Sequence, residues 1–357
     1  MHALIGDQPR HYRRLALTPG VVQDWEDGLR TDPSSETFEW WYCDAHLDDG
    51  TTLTVEFHTK PPFVSPKTPL TPFVLLTVTG PDGTRTDKTF TGEPGDFSAS
   101  AEGCDVVIGR NTFRGGPDGY AVHVEIENVE LDLRLTARVP PWRPATGHAF
   151  FGPEEEHYIA WLPMVARGDV HGRLDVGGTV RGVRGDGYHD HNWGNIAPRK
   201  VLDHWYWGRA RIGDHTVVTL MFVSHERFGK VPLPAVLVVE ENEVKVSAVG
   251  ADAVSFTERD VRVRPATRVP VGSHLEYHVS NGSHRYTVAF DHEQDVFHLD
   301  LGQAGAYHRF LGAASLHRAG ADGTRTLRAR ALWELLHFAP LRQPPAPKAV
   351  PVVGHQA

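Results

Sequence analysis

The sequence predicts an all-β protein arranged as two tandem antiparallel β-barrels, and three observations lead to that reading. Short runs of β-branched and aromatic residues alternate with polar ones, tight-turn sequences separate the runs, and one hairpin recurs at an offset of 165 residues. No segment carries a long 3.6-residue apolar pattern bounded by caps.

The strand signals are "TLTVEFH" (52–58), "FVLLTVTG" (73–80), "AVHVEIENVELDLRLTARV" (121–139), "HTVVTLMFVSH" (215–225), "AVLVVEENEVKVSAV" (235–249) and "HLEYHVSNGSHRYTVAF" (274–290). Turns such as "DDG", "PDG", "VGG" and "SNGS" punctuate them. "RALWELLHF" (330–338) fits either one short helix or a last strand, and the proline-rich end reads as an extended tail. The recurring hairpin joins "WWYCDAHLDDGTTLTVEF" (40–57) to "WYWGRARIGDHTVVTLMF" (205–222) without a gap. Trp40 meets Trp205, Ala45 meets Ala210, Asp49 meets Asp214 and Phe57 meets Phe222. Residues 1–29 are then an N-terminal extension, 30–200 a first barrel, 201–340 a second barrel and 341–357 the tail. Closing long meanders into barrels removes their exposed edges, although a pair of open sandwiches would satisfy the same alternation.

Bulk properties narrow the function classes. No apolar run of eighteen residues exists, so no membrane span is expected. The N-terminus lacks the apolar core and small-residue cleavage site of a secretory signal, which makes the cytoplasm the expected location. A net charge of −9 without a basic patch argues against nucleic acid and anionic membrane surfaces. Cys43 and Cys104 form no CxxC spacing and read as free thiols. Nine tryptophans and 22 histidines are enough rings to line an apolar cavity as well as to fill cores. A homodimer is compatible with the sequence, though nothing in it points to one.

The densest polar stretch is "GYHDHNWG" (187–194). On a strand, Tyr188, Asp190 and Asn192 share one face, and His189, His191 and Trp193 share the other. The same rule sets Phe38, Trp40 and Tyr42 against Glu39 and Trp41, and Trp205, Trp207 and Arg209 against Tyr206. Two histidines at i and i+2 can ligate one metal ion, but no spacing fixes a third ligand to them, so no metal is expected. A carboxyl group walled by aromatic rings is poorly solvated when ionised, so Asp190 could hold a proton at neutral pH and give it to a carbon–carbon double bond. Asp190 and Asn192 could equally do no more than satisfy backbone donors at a glycine-flanked strand end. No GxSxG elbow, P-loop, GxGxxG or HExxH is present, which weakens the hydrolase, nucleotide and nicotinamide readings. "RGG" (114–116) reads as a turn and "PEEEHY" (153–158) as a solvated loop.

"FEWWY" (38–42), "YIAWLP" (158–163), "GYHDHNWG" (187–194) and "WYWGRA" (205–210), in that order, resemble the carotenoid 1,2-hydratase/AttH-like superfamily, which includes the lipocalin-like Diels-Alderases of polyketide biosynthesis. The resemblance covers residues 30–225 by motif. It implies two lipocalin-like barrels with a pocket between them. On the hydratase side it implies proton transfer by Tyr188 and Asp190 with Trp161. Ile159 replaces a histidine usual in that group, which puts hydration in doubt. On the Diels-Alderase side it implies a pocket lined by Glu39, Trp41, Tyr42, Tyr188, Trp205 and Trp207.

The resulting expectation is a cofactor-independent cyclase that closes a polyene by an intramolecular [4+2] reaction. Such a reaction needs near-attack geometry and a donor on a conjugated carbonyl, without a nucleophile or cofactor. Tyr188, Asp190, Glu39, His189 and Asn192 are the expected catalytic residues. Trp40, Trp41, Tyr42, Trp161, His191, Trp193, Trp205, Tyr206 and Trp207 are the expected walls around a hydrophobic small molecule. A proton-initiated hydratase or isoprenoid cyclase with Asp190 as acid, and a non-catalytic lipid or pigment carrier, are the alternatives.

Overall fold

The computed structural model describes residues 2–62, 68–302, 305–321 and 323–338, so the proline-rich tail lies outside the described residues. The alternating segments form antiparallel strands, and the one α-helix described is the single short turn Pro9–Arg14. "RALWELLHF" belongs to a strand, Gly323–His337.

Two large sheets account for almost all strands. The first has thirteen, and its path runs from Arg85–Thr91 through Phe73–Thr79, Thr52–His58 and Phe38–Leu47 to Thr179–Gly194 and His157–Val176, ending at Phe97–Ala99. The second has nine, from Glu243–Val249 through Pro232–Glu240, His215–Ser224 and Leu202–Ile212 to Gly323–His337 and Ala306–Gly320, ending at Ser255–Arg259. In each sheet a four-strand meander is followed by the return of the last long strand beside the first. In each, the two edge strands are also consecutive in the chain, joined by residues 92–96 in one case and 250–254 in the other. Connections this short require the sheet to curl until its edges approach, which gives the barrel-like form.

Apolar burial follows the curl. One core cluster, including Trp41, Leu53, Phe57 and Leu131, fills the first sheet. Another, including Tyr206, Tyr277, Phe290 and Trp333, fills the second. A third lies between the sheets and includes Tyr42, Trp161, Tyr188, Trp205 and Trp207. The N-terminal residues join the first sheet: Ala3–Ile5 pairs with His148–Phe151, and the 3₁₀ turn Asp24–Asp27 buries Glu26 and Asp27.

The recurring hairpin is present in both sheets, with one difference. The first copy pairs Trp41 with Phe57 and turns through three residues, since the Leu47 amide donates to the Thr51 carbonyl. The second pairs Trp205 with Phe222 and turns through Gly213 and Asp214 alone. The shorter turn slips the register by one residue, and a one-residue slip moves every side chain of a strand to the opposite face. Trp40 and Trp205 therefore occupy matching faces, whereas Phe57 points into the first sheet and Phe222 into the space between sheets. The gapless match thus holds for the first strand of each hairpin and misplaces the second.

Candidate functional site

Alternation divides the strand Thr179–Gly194 as its sequence requires, and the tertiary structure gives the two faces different surroundings. Asp190 pairs with Tyr42 and Asn192 with Trp40 on one side of the strand, and Trp161 pairs with Asn192 on the other. These side chains point toward the second sheet. There Trp161 Nε1 and Tyr188 Oη donate to Asp190 Oδ2, each at 2.7 Å, and Asn192 Nδ2 donates to Oδ1 at 2.7 Å. Burial pushes the Asp190 carboxyl up to about 6 even though these three donors favour its ionised form.

Asp190, Asn192, Trp40, Tyr42, Trp161 and Trp207 line a narrow recess of about 50 Å³ between the sheets. Adjoining it is a chamber of about 390 Å³, and Trp40, Tyr42, Trp205 and Glu334 line both. That volume suits one drug-sized molecule. Tyr188 is fully buried behind Asp190 and is not among the lining residues, so it positions the carboxyl.

The opposite face corrects part of the expected site. His189 and His191 point into the first sheet, where His189 Nε2 lies 3.2 Å from Asp27 Oδ2 and His191 Nε2 lies 2.9 Å from Glu39 Oε1. Glu39 also accepts from the amides of Arg30 and Thr31 and from the Thr31 hydroxyl. Trp41 stacks on His191 at 4.7 Å, and Trp193 packs beside them. Tyr206 points into the second sheet and donates to Glu258 at 2.6 Å. Glu39, Trp41, His189, His191, Trp193 and Tyr206 therefore line neither cavity. The physical reason is the pleat: each sits one residue out of phase with the face that meets the other sheet.

Both histidines reach Asp27, His189 through Nε2 at 3.2 Å and His191 through Nδ1 at 3.6 Å, while His191 Nε2 turns to Glu39. Among the described residues, Asp27, Cys104 and His189 bring three ligand-type atoms within 4.8 Å of one another inside the first sheet. Cys43 and Cys104 are both free and buried, as expected.

Sequence reasoning missed the far wall of the chamber. Glu334 accepts from Tyr307 Oη at 2.5 Å and lies 3.4 Å from Arg309 Nη2. Glu56 faces the same space, bound by His58 Nε2 at 2.9 Å, and His58 stacks on Phe73. Burial pushes the Glu334 carboxyl above its usual range against the opposing pull of Arg309 and Tyr307. The sequence did hold a signal for Glu334. It is a lone carboxyl on a strand face it shares with Leu332 and Leu336, and an ionisable group on an apolar face requires a reason.

Comparison with known proteins agrees with this architecture. The chain is 26% identical over 268 residues to a quinolone epoxide rearrangement protein, penF, of Penicillium thymicola, covering 73% of this chain and 69% of that one. A 56-residue stretch is 42% identical to a hydroxyneurosporene dehydrogenase of Chlorobaculum tepidum and spans only 15% of that protein. Among solved structures, CghA with Sch210972 superposes with a TM-score of 0.65 at 14% identity, over 94% of this chain and 98% of that one. A structure described as AttH from Nitrosomonas europaea superposes with a TM-score of 0.63 at 15% identity, over 90% and 99%. A Diels-Alderase-like family model matches residues 121–320, more than half of the sequence, and the chain belongs to the Diels-Alderase-like family.

Proposed function

We propose that this protein is an enzyme that binds an apolar, unsaturated small molecule between its two sheets and closes it by an intramolecular [4+2] cyclisation. The observation that carries this reading is the chamber of about 390 Å³, walled by tryptophans from both sheets and opening into the Asp190 recess. Rigid indole walls can hold a flexible polyene with its reacting carbons close together. That converts a slow conformational search into a nearly unimolecular step and removes several kcal/mol of the barrier. The Arg309 guanidinium, which lines the chamber, is placed to hydrogen-bond a conjugated carbonyl and lower the barrier further.

A second reading, proton-initiated rearrangement, hydration or cyclisation, is favoured by Asp190 itself. A carboxyl titrating at about 6 is divided between its acid and base forms near neutral pH, as general catalysis requires. The name of the Penicillium relative, a quinolone epoxide rearrangement protein, points the same way.

Incubating the protein with a linear polyene bearing a conjugated carbonyl in deuterium oxide separates the readings. A [4+2] closure changes retention and stereochemistry at unchanged mass, without deuterium bound to carbon. Proton-initiated chemistry places deuterium on carbon, and hydration also adds water. Recovery of the same products in the same ratios with and without protein overturns both readings and leaves a carrier.

A further inference from the structure

We infer that the recess, where it opens into the chamber, is built to stabilise a positive centre on the ligand, with Glu334 as the counterpart of Asp190 on the opposite wall. The inference rests on the reading of this chamber as the substrate site, and it names the electronic character of what binds there.

The placement follows from the repeat. Tyr42 and Trp207 occupy the same position in the two hairpin copies, and their rings meet edge to face at 5.7 Å. Asp190 lies opposite Tyr42 in the first sheet, and Glu334 lies opposite Trp207 in the second. Each sheet therefore presents one carboxyl at the matching position of the strand beside its hairpin. Each carboxyl also has a tyrosine donor, Tyr188 for Asp190 and Tyr307 for Glu334. Glu334 lines both cavities and so stands where they join.

Charge and ring placement agree with a cationic ligand. Asp190 and Glu334 line the recess, which no arginine or lysine lines among the described residues, while Glu334, Glu56 and Asp87 line the chamber together with Arg85, Lys88 and the buried Arg309. The other cations lining the chamber already have partners, because Arg85 binds Asp87 and Lys88 binds Glu127. Arg309 is divided between Glu334 at 3.4 Å and Glu56 at 3.9 Å. The aromatic walls add a favourable field, since the negative face of an indole ring attracts a cation most strongly where water is excluded. The hydrocarbon part of a neutral polyene uses neither Asp190 nor Glu334, whereas a substrate that becomes cationic during reaction uses both.

The test is equilibrium dialysis of the full chain with a geranyl trimethylammonium ion and with its uncharged isostere, in which carbon replaces nitrogen. The wild type should prefer the cation. Glu334→Gln and Asp190→Asn should each reduce the ratio of cation to isostere affinity about tenfold, the size of one close charge pair. Retained isostere binding shows that the chamber is intact, and Glu334→Asp, which keeps the charge, should keep the preference. No cation preference in the wild type, or an unchanged preference in Glu334→Gln, overturns the inference. A protein that shows this pattern but fails to cyclise the polyene refutes the [4+2] reading alone.

Discussion

Asp44 and Arg209 occupy equivalent positions in the two copies of the hairpin, and they bind each other across the interface between the sheets, with Arg209 Nε 2.6 Å from Asp44 Oδ1. Both side chains are fully buried, and Asp186 holds the other side of the guanidinium. The flanking carboxylates raise the Arg209 guanidinium above its ordinary range despite the cost of burial. The pair fixes how the two sheets meet, and with it the shape of the space between Trp40 and Trp205.

The two partners should therefore differ in their sensitivity to replacement. Arg209→Leu leaves the buried Asp44 without its cation, while Asp186 keeps only Arg211 at 3.8 Å, and it should cost about 3–5 kcal/mol in urea denaturation. Asp44→Asn leaves Asp186 to neutralise the guanidinium and should cost less. Equal losses would show that Asp186 does not share the charge.

Asp190 should give the stability curve a specific pH dependence. Its folded value of about 6 lies above an unfolded value of about 3.9, so the folded state binds the extra proton between those limits. That contribution is fully present below about pH 4 and is lost as pH rises through about 6, an amount of about 2–3 kcal/mol. Asp190→Asn removes it. Urea melts at pH 4 and pH 7 should show the variant gaining on the wild type at the higher pH. Parallel wild-type and variant curves would refute the raised value.

The three donors around Asp190 lower its titration midpoint against the effect of burial. Trp161→Phe removes one charge-assisted bond worth about 1.5–3 kcal/mol, so the midpoint should move up by about 1–2 pH units. Carbon-13 NMR of protein labelled at the aspartate carboxyl reads this directly. A downward shift would mean that Trp161 excludes water from Asp190 more than it bonds to it.

The two faces of the GYHDHNWG strand should separate by phenotype. Glu39→Gln weakens three hydrogen bonds to Arg30 and Thr31 and leaves His191 facing an amide, so it should lower stability by about 2–4 kcal/mol. It should not alter dialysis binding of the uncharged geranyl probe, because Glu39 lies inside the first sheet. Asp190→Asn should instead act on the cation. Loss of probe binding in a folded Glu39→Gln protein would place Glu39 in the site after all.

Much of this was legible in the chain because β-structure has a local period. Alternation sorted Tyr188, Asp190 and Asn192 from His189, His191 and Trp193, and Trp40 and Tyr42 from Glu39 and Trp41, before any contact was known. The turn sequences DDG, PDG, VGG and SNGS each stand at a hairpin, and the repeat aligns Trp40 with Trp205. The second half of the repeat was misread because a gapless match hides a turn one residue shorter, and a pleat converts that single residue into a reversal of faces. Glu334, Tyr307 and Arg309 are not legible in the same way, because they lie far along the chain from the motifs that point to the site.

The sequence by itself determined which side chains stand together on each strand, since successive residues of a pleated chain point to opposite sides whatever surrounds them. Only the tertiary structure decided which of those sides faces the other sheet. That choice depends on the direction in which each sheet curls and on partners such as Asp44 and Arg209, which meet only after both sheets have formed. It turned the histidines inward to Asp27 and Glu39, and it set Asp190 and Glu334 on the walls of one recess.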